Sequence, residues 1–165
     1  VRKAAAVIAA LVRDGRTLAV AESLTGGALS AELVSVPGAS AVVRGAVVAY
    51  DTALKSSLLG VPAELLAEAG PVDPRVAALM AEGVRVTAAV GGHPADVGIA
   101  TTGVAGPDPQ GNAPVGRVYI AVADHAGTEV RELQLSGDRA SIRSQTVDAT
   151  LALLLGRVGV GQRES

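Results

Sequence analysis

The sequence predicts a three-layer α/β/α domain whose sheet is mixed, mostly parallel, and completed by a C-terminal antiparallel hairpin. Helix-period and β-branched segments alternate through the N-terminal part of the chain, which is the pattern of βα units. Two runs of strand-like alternation, residues 115–123 and 129–136, flank the turn signal Asp124-His125-Ala126-Gly127 and read as a hairpin. A 165-residue chain with 49% hydrophobic and 18% charged residues can bury one core, so a single domain over residues 1–156 is expected, followed by a loose tail over 157–165.

The elements follow in order. Ala4, Val7, Ile8, Leu11 and Val12 form one stripe at helical spacing, and Asp14-Gly15 supplies a left-handed stop. The apolar run Thr17-Leu18-Ala19-Val20 reads as the first strand and residues 28–36 as the second helix, ending at Pro37-Gly38. Residues 41–50 are too β-branched for a comfortable helix and read as a buried strand with a bulge or bend at Gly45. Residues 52–59 suit a short helix, and Pro62 opens another that closes at Gly70-Pro71. Asp73-Pro74 caps a longer helix with Val76, Leu79, Met80 and Val84 as its buried stripe. Residues 97–101 form a short strand that delivers a polar loop reaching Pro114. Ser136-Gly137-Asp138 caps the last helix, with Ile142, Thr146, Ala149 and Leu153 at helical steps until Gly156.

Composition removes several kinds of chemistry. The absence of cysteine excludes disulfides, a thiol nucleophile and thiolate metal sites. His93 and His125 are far apart and lack partners at ligand spacing, so no metal site is expected and a Ser-His-Asp triad has few candidates for its base. A net charge of -2 with scattered arginines leaves no electrostatic footprint for nucleic acid. No apolar run reaches the roughly 18 residues of a membrane span, and a secretory cleavage pattern is missing at the start, so a cytoplasmic protein is expected. The low charge points weakly to self-association as a homo-oligomer.

The stretch with most chemical content is Ala21-Glu22-Ser23-Leu24-Thr25-Gly26-Gly27, a strand-to-helix turn with a hydroxyl at its tip. Thr25, Gly26 and Gly27 bring backbone N–H groups to a helix start, where an anion would be favoured. An ordinary hydroxyl-capped helix is the plainer reading of this heptapeptide. Only two lysines occur, Lys3 and Lys55, and Lys55 is the one lysine inside the folded domain that could act as a base; taken by itself, a solvated helix-face lysine is the plainer reading. Of the two tyrosines, Tyr50 ends a strand, where it could stack on a ligand or finish the core. If the strand before it runs parallel to the first, Tyr50 and Lys55 share an edge with Ser23 and with the turn that begins at Thr102-Gly103.

Five separated motifs then converge on one family. Ala21-Glu22-Ser23-Leu24-Thr25-Gly26-Gly27, Tyr50-Asp51-Thr52-Ala53-Leu54-Lys55, Thr102-Gly103-Val104-Ala105-Gly106-Pro107, Pro114-Val115-Gly116 and Ser136-Gly137-Asp138-Arg139 resemble, in order and spacing, the C-terminal domain of the competence/damage-inducible protein CinA. The resemblance covers nearly the whole chain and is to the stand-alone form, without the N-terminal pterin-binding-like domain of many members. It implies a nicotinamide-nucleotide amidohydrolase that converts nicotinamide mononucleotide and water to nicotinate mononucleotide and ammonia, with no cofactor or metal. By motif position it implies Ser23 as nucleophile and Lys55 as base. Tyr50, Thr102 and Arg139 are implied as site residues, with Arg143 a further candidate. Leu24 stands where members commonly have Cys, and Thr52 where they have an Asn-type residue.

Amide hydrolysis needs an activated nucleophile, a stabilised oxyanion and a proton for the leaving ammonia. The backbone around Thr25-Gly26-Gly27 or Thr102-Gly103 is expected to receive the oxyanion, and Arg139 or Arg143 the substrate phosphate. Lys55 would have to fall toward a pKa of about 7 to 8, through burial or a nearby cation. The alternative from another class is a nucleotide-binding regulatory module without turnover. A phosphoryl-transfer enzyme is disfavoured, because there is no Gly-x-x-x-x-Gly-Lys-Ser/Thr loop and no obvious carboxylate pair for Mg²⁺.

Overall fold

A computed structural model describes residues 2–159. Its elements are α1 (Arg2–Asp14), β1 (Leu18–Glu22), α2 (Ala28–Val34), β2 (Val43–Val48), α3 (Thr52–Ser57), α4 (Ala63–Ala69), α5 (Pro74–Thr87), β3 (Val97–Gly103), β4 (Arg117–Asp124), β5 (Gly127–Gln134) and α6 (Arg139–Gly159), with a short 3-10 turn at Ala39–Ala41. The strand order is β2-β1-β3-β4-β5. β1 is parallel to both β2 and β3, while β4 is antiparallel to β3 and to β5. Four strands therefore run one way and only β4 opposes them, which is the expected mixed sheet with its hairpin.

Two cores form because each strand sends alternate side chains to opposite faces. Leu18, Val20, Val97, Ile99, Val118, Ile120 and Val122 pack against residues of α1, α2 and α6. The other face presents Ala19, Ala21, Ala100, Ala121 and Ala123, and these small side chains pack against Val76, Ala77, Met80, Ala81 and Val84 of α5. On that second face Tyr119 finishes the core, whereas Tyr50 is 60% exposed.

The path of the chain places the site. β1 leads through α2 to β2 on one side, and β2 then crosses β1 through α3, α4 and α5 to reach β3 on the other. Such a reversal opens a crevice beyond the C-terminal ends of the two central strands. Ser23 follows the end of β1, and Thr102 lies at the end of β3.

Several boundaries differ from expectation. α2 stops at Val34, and the strand expected over 41–50 is shorter, Val43–Val48, with Ala41 taken up by the 3-10 turn. Register skips from Leu18↔Val43 to Ala19↔Gly45, so the bulge expected at Gly45 falls on Arg44, which has no Cα partner there. α6 continues three residues beyond Gly156, to Gly159, because Leu154 and Val158 on either side of the glycine are buried in the first core. The expected tail at 157–165 thus begins inside a helix, and residues 160–165 lie outside the described residues.

Candidate active site

Ser23 is presented by a turn that only glycine can complete. Gly26 N–H donates to Ser23 O at 3.0 Å, closing one turn, and Ala28 N–H donates to Thr25 O at 3.0 Å, closing the next. Gly26 and Gly27 have φ of 59° and 100°, a left-handed conformation that other residues rarely adopt. The hydroxyl of Thr25 does not face a ligand: it shares a hydrogen bond of 2.9 Å with Thr101 Oγ1, inside the protein.

The expected anion cradle at the start of α2 is occupied by the chain itself. Glu22 is fully buried, and its carboxylate accepts from Gly27 N–H at 3.2 Å, Leu29 N–H at 2.9 Å, Ser30 N–H at 3.1 Å and the Ser30 hydroxyl. Gly26 and Gly27 are therefore turn-forming residues whose amides are already used, not phosphate binders. Sequence reasoning missed Glu22 because it lies five to eight residues before the amides it caps, far from the spacing of a capping box.

Lys55 reaches the turn from α3. Asp51 caps that helix, accepting from Ala53 N–H at 2.8 Å, and the first turns then carry Lys55 inward. Lys55 is 1% exposed and Ser23 is 8% exposed. Lys55 Nζ donates to Ala49 O at 2.7 Å and lies 2.8 Å from Ser23 Oγ. A second bond ties the arrangement together, since Ala49 N–H donates to Glu22 O at 2.8 Å. The ring from Ser23 through Glu22, Ala49 and Lys55 back to Ser23 fixes the amine against the hydroxyl. Burial lowers the Lys55 pKa from 10.5 to about 8, and the Asp51 carboxylate opposes that fall. Desolvation, rather than an arginine, is thus the cause.

A cavity of about 330 Å³ opens over this pair. Its walls include Ser23, Leu24, Tyr50, Thr52, Lys55, Thr102, Gly103 and Arg139, together with Pro71, Val72, Asp108 and Gln110, which sequence reasoning had not singled out. These last four come from connections, where strand and helix periodicity carries no signal. Thr102 Oγ1 donates to Pro71 O at 2.7 Å and so draws the α4–α5 connection to the rim. Arg139 donates to Gly106 O at 2.6 Å and to Tyr50 Oη at 2.9 Å, which sets a fixed cation at the mouth. Arg143, one turn further along α6, behaves differently. It does not line this cavity and donates instead to Leu24 O at 2.9 Å and Thr25 O at 3.0 Å. The structure thus corrects its expected place as a phosphate ligand: both carbonyls it holds belong to the serine turn.

Among the described residues no group of three or more His, Cys, Asp or Glu side chains converges, and no helix is long and apolar enough to cross a membrane.

Residues 2–158 match the model of the family described as the CinA C-terminal domain. A CinA-like protein of Frankia casuarinae is 50% identical over 148 residues, covering 90% of this chain and 33% of that protein. A CinA-like protein of Gloeobacter violaceus is 48% identical over 155 residues, covering 92% of this chain and 35% of that protein. The chain thus spans about a third of the length of these curated relatives. Among solved structures, the competence damage-inducible protein A of Klebsiella pneumoniae superposes with a TM-score of 0.90 at 31% identity, covering 98% of both chains. The competence/damage-inducible protein of Agrobacterium tumefaciens gives 0.87 at 32% identity, covering 94% of this chain and 93% of that one.

Proposed function

We propose, from the premise that this chain belongs to the CinA C-terminal domain family, that it is a metal-independent amidohydrolase. Its substrate in this reading is nicotinamide mononucleotide, cleaved to nicotinate mononucleotide and ammonia. The observation that carries the reading is a buried amine 2.8 Å from a hydroxyl beneath a cavity of about 330 Å³. A lysine costs free energy to bury, and one placed against a serine is positioned to take that serine's proton.

The steps follow from the residues. Neutral Lys55 takes the Ser23 proton as Oγ bonds to the carboxamide carbon, and the C=O π pair moves onto oxygen. Collapse of the tetrahedral species breaks the C–N bond, and Lys55 returns the proton to the departing NH₂, giving ammonia. A water then gives a proton to Lys55 and bonds to the acyl carbon. The second collapse breaks the C–Oγ bond, releases the acid and returns the proton to Ser23. With one N–H of the neutral amine held by Ala49 O, rotation about Cε–Nζ brings the lone pair to the Ser23 hydroxyl 2.8 Å away. Arg139 is suited to the substrate phosphate, Tyr50 to the pyridine ring and Thr102-Gly103 to the cavity wall.

A regulatory module that only binds the nucleotide would require the cavity and Arg139 but not a buried base. The test is ammonia release from nicotinamide mononucleotide in the presence of chelator. Ser23→Ala and Lys55→Ala should each abolish it while leaving the circular dichroism and melting of a folded domain. Release at substantial rates by either folded variant would remove the dyad. Binding without release by the folded wild type would favour the regulatory module.

A further inference from the structure

Lys55 holds its proton without a counter-ion in contact. Its amine is 1% exposed and bonds to Ala49 O and Ser23 Oγ, both uncharged, so an ammonium there has two acceptors for three N–H groups. The charges around it are few. On its own helix Asp51 favours the ammonium from the cap, and β1 brings Glu22, whose carboxylate is taken by Gly27, Leu29 and Ser30. α6 brings Arg139, bonded to Gly106 O and Tyr50 at the mouth, and the β3–β4 connection brings Asp108, exposed on the cavity wall. The α4–α5 connection contributes Pro71 and Val72, without charge. One further charge placed close to the amine therefore shifts its protonation by a large factor.

Nicotinamide mononucleotide carries such a charge. Its carboxamide is meta to a pyridinium nitrogen that stays positive at every pH. For attack the carboxamide carbon must lie about 3–3.5 Å from Ser23 Oγ, itself 2.8 Å from Nζ, so the ring nitrogen comes within about 8 Å of the amine. At that distance, in a partly screened interior, the like charge disfavours the ammonium by a factor of about ten to a hundred. The phosphate lies farther out, where Arg139 offsets it.

We propose that the site selects a carboxamide carried on a cationic ring: when that carboxamide meets Ser23, the ring's fixed charge drives the proton from Lys55 to solvent, so that the base is formed by the substrate it acts on. This selection rests on the amidohydrolase reading. Proton binding and substrate binding then oppose each other, and affinity weakens as pH falls through the range in which the free amine takes up its proton. With its pKa near 8, the amine of the free enzyme is mostly protonated at pH 7, whereas in the complex at least half of it is neutral. Uncharged aromatic carboxamides leave Lys55 protonated and are poor substrates for that reason, whatever their fit to the cavity.

The test reads proton release beside rate. Calorimetry at pH 7 in buffers of different ionisation enthalpy, on the Ser23→Ala protein, compares nicotinamide mononucleotide with its reduced form, which has the same carboxamide, ribose and phosphate on an uncharged dihydropyridine ring. The oxidised nucleotide should release about 0.4 to 0.8 proton more per molecule bound, and the difference should vanish in the Ser23→Ala, Lys55→Met double variant. In wild type the acidic limb of kcat, which reports the complex, should lie about one to two pH units below that of kcat/KM, which reports the free enzyme. Equal proton release by the two nucleotides, or coincident limbs in an enzyme that turns over, would overturn the inference and leave the amidohydrolase reading in place. A difference that persists in the double variant would also overturn it, by assigning the proton to another group. A folded wild type that binds the nucleotide and releases no ammonia would bring down that reading and this inference together.

Discussion

A buried amine serves as a base only if its surroundings keep its pKa near the working pH, and at Lys55 two effects oppose each other. Burial lowers the pKa to about 8, while the Asp51 carboxylate at the cap of the same helix raises it. Asp51 therefore has two separable roles, a cap for α3 and a brake on the base. Asparagine caps as well as aspartate and carries no charge, so Asp51→Asn should keep the bond from Ala53 N–H and release the brake. Lys55 then falls further, and the acidic limb of the kcat/KM profile moves toward lower pH. At pH 6.5 to 7 the gain should be about two- to threefold, with an unchanged plateau at high pH. A pH–rate profile measured beside the wild type checks this, and an unmoved limb would mean that Lys55 does not set the rate.

The start of α2 shows what a sequence can reveal about an element and what it cannot. The turn at Ser23 was legible, because a strand signal runs directly into Gly-Gly and a helix. The occupancy of the helix's free amides was not, since it depends on a carboxylate folded back from β1. Arg139 and Arg143 pose the same difficulty. They are one helical turn apart and chemically identical, yet one meets Gly106 O and Tyr50 and the other meets Leu24 O and Thr25 O. Only the placement of α6 over two different loops separates them. Ala49 left no trace either, because it acts through its backbone. The parallel pairing of β1 with β2, left as a condition by the sequence, is what brings Lys55 to Ser23. For α2 itself, removing the carboxylate strands the buried Leu29 N–H and three further donors, Gly27 N–H, Ser30 N–H and the Ser30 hydroxyl. Glu22→Ala should therefore cost about 2–4 kcal/mol, read as a lower denaturant midpoint at unchanged m-value.

Across the whole molecule, the groups that set stability and rate titrate at opposite ends of the sheet. Asp124 closes β4 beside the start of β3, at the edge away from Ser23. Its carboxylate accepts from Arg157 of α6 at 2.8 and 3.0 Å and from Arg16 at 3.3 Å, so the last helix and the hairpin are joined through it. The Arg157 guanidinium, more than any other neighbour, holds the Asp124 carboxyl well below its ordinary value of 3.8. Since the folded pKa is depressed, the stabilisation is present above 3.8 and drains away as pH falls toward the folded value. Lys55 follows the same sign in a higher window: between about 8 and 10.5 the unfolded chain binds the extra proton, so this group too makes stability rise with pH there. Neither titration weakens the fold between 4 and 8, yet the base is increasingly protonated there. The kcat/KM value should thus fall about tenfold per pH unit below 8 while the melting midpoint holds, and the midpoint should drop only on acidification below 3.8. Asp124→Asn separates the two limbs, because it leaves two arginines partly buried without their carboxylate. It should lower stability by about 2–4 kcal/mol at neutral pH and flatten the acid limb, with the rate limb still near 8. If the rate limb moved with the melting limb in that variant, inactivation by acid would be unfolding, and Lys55 would lose its claim to be the titrating base.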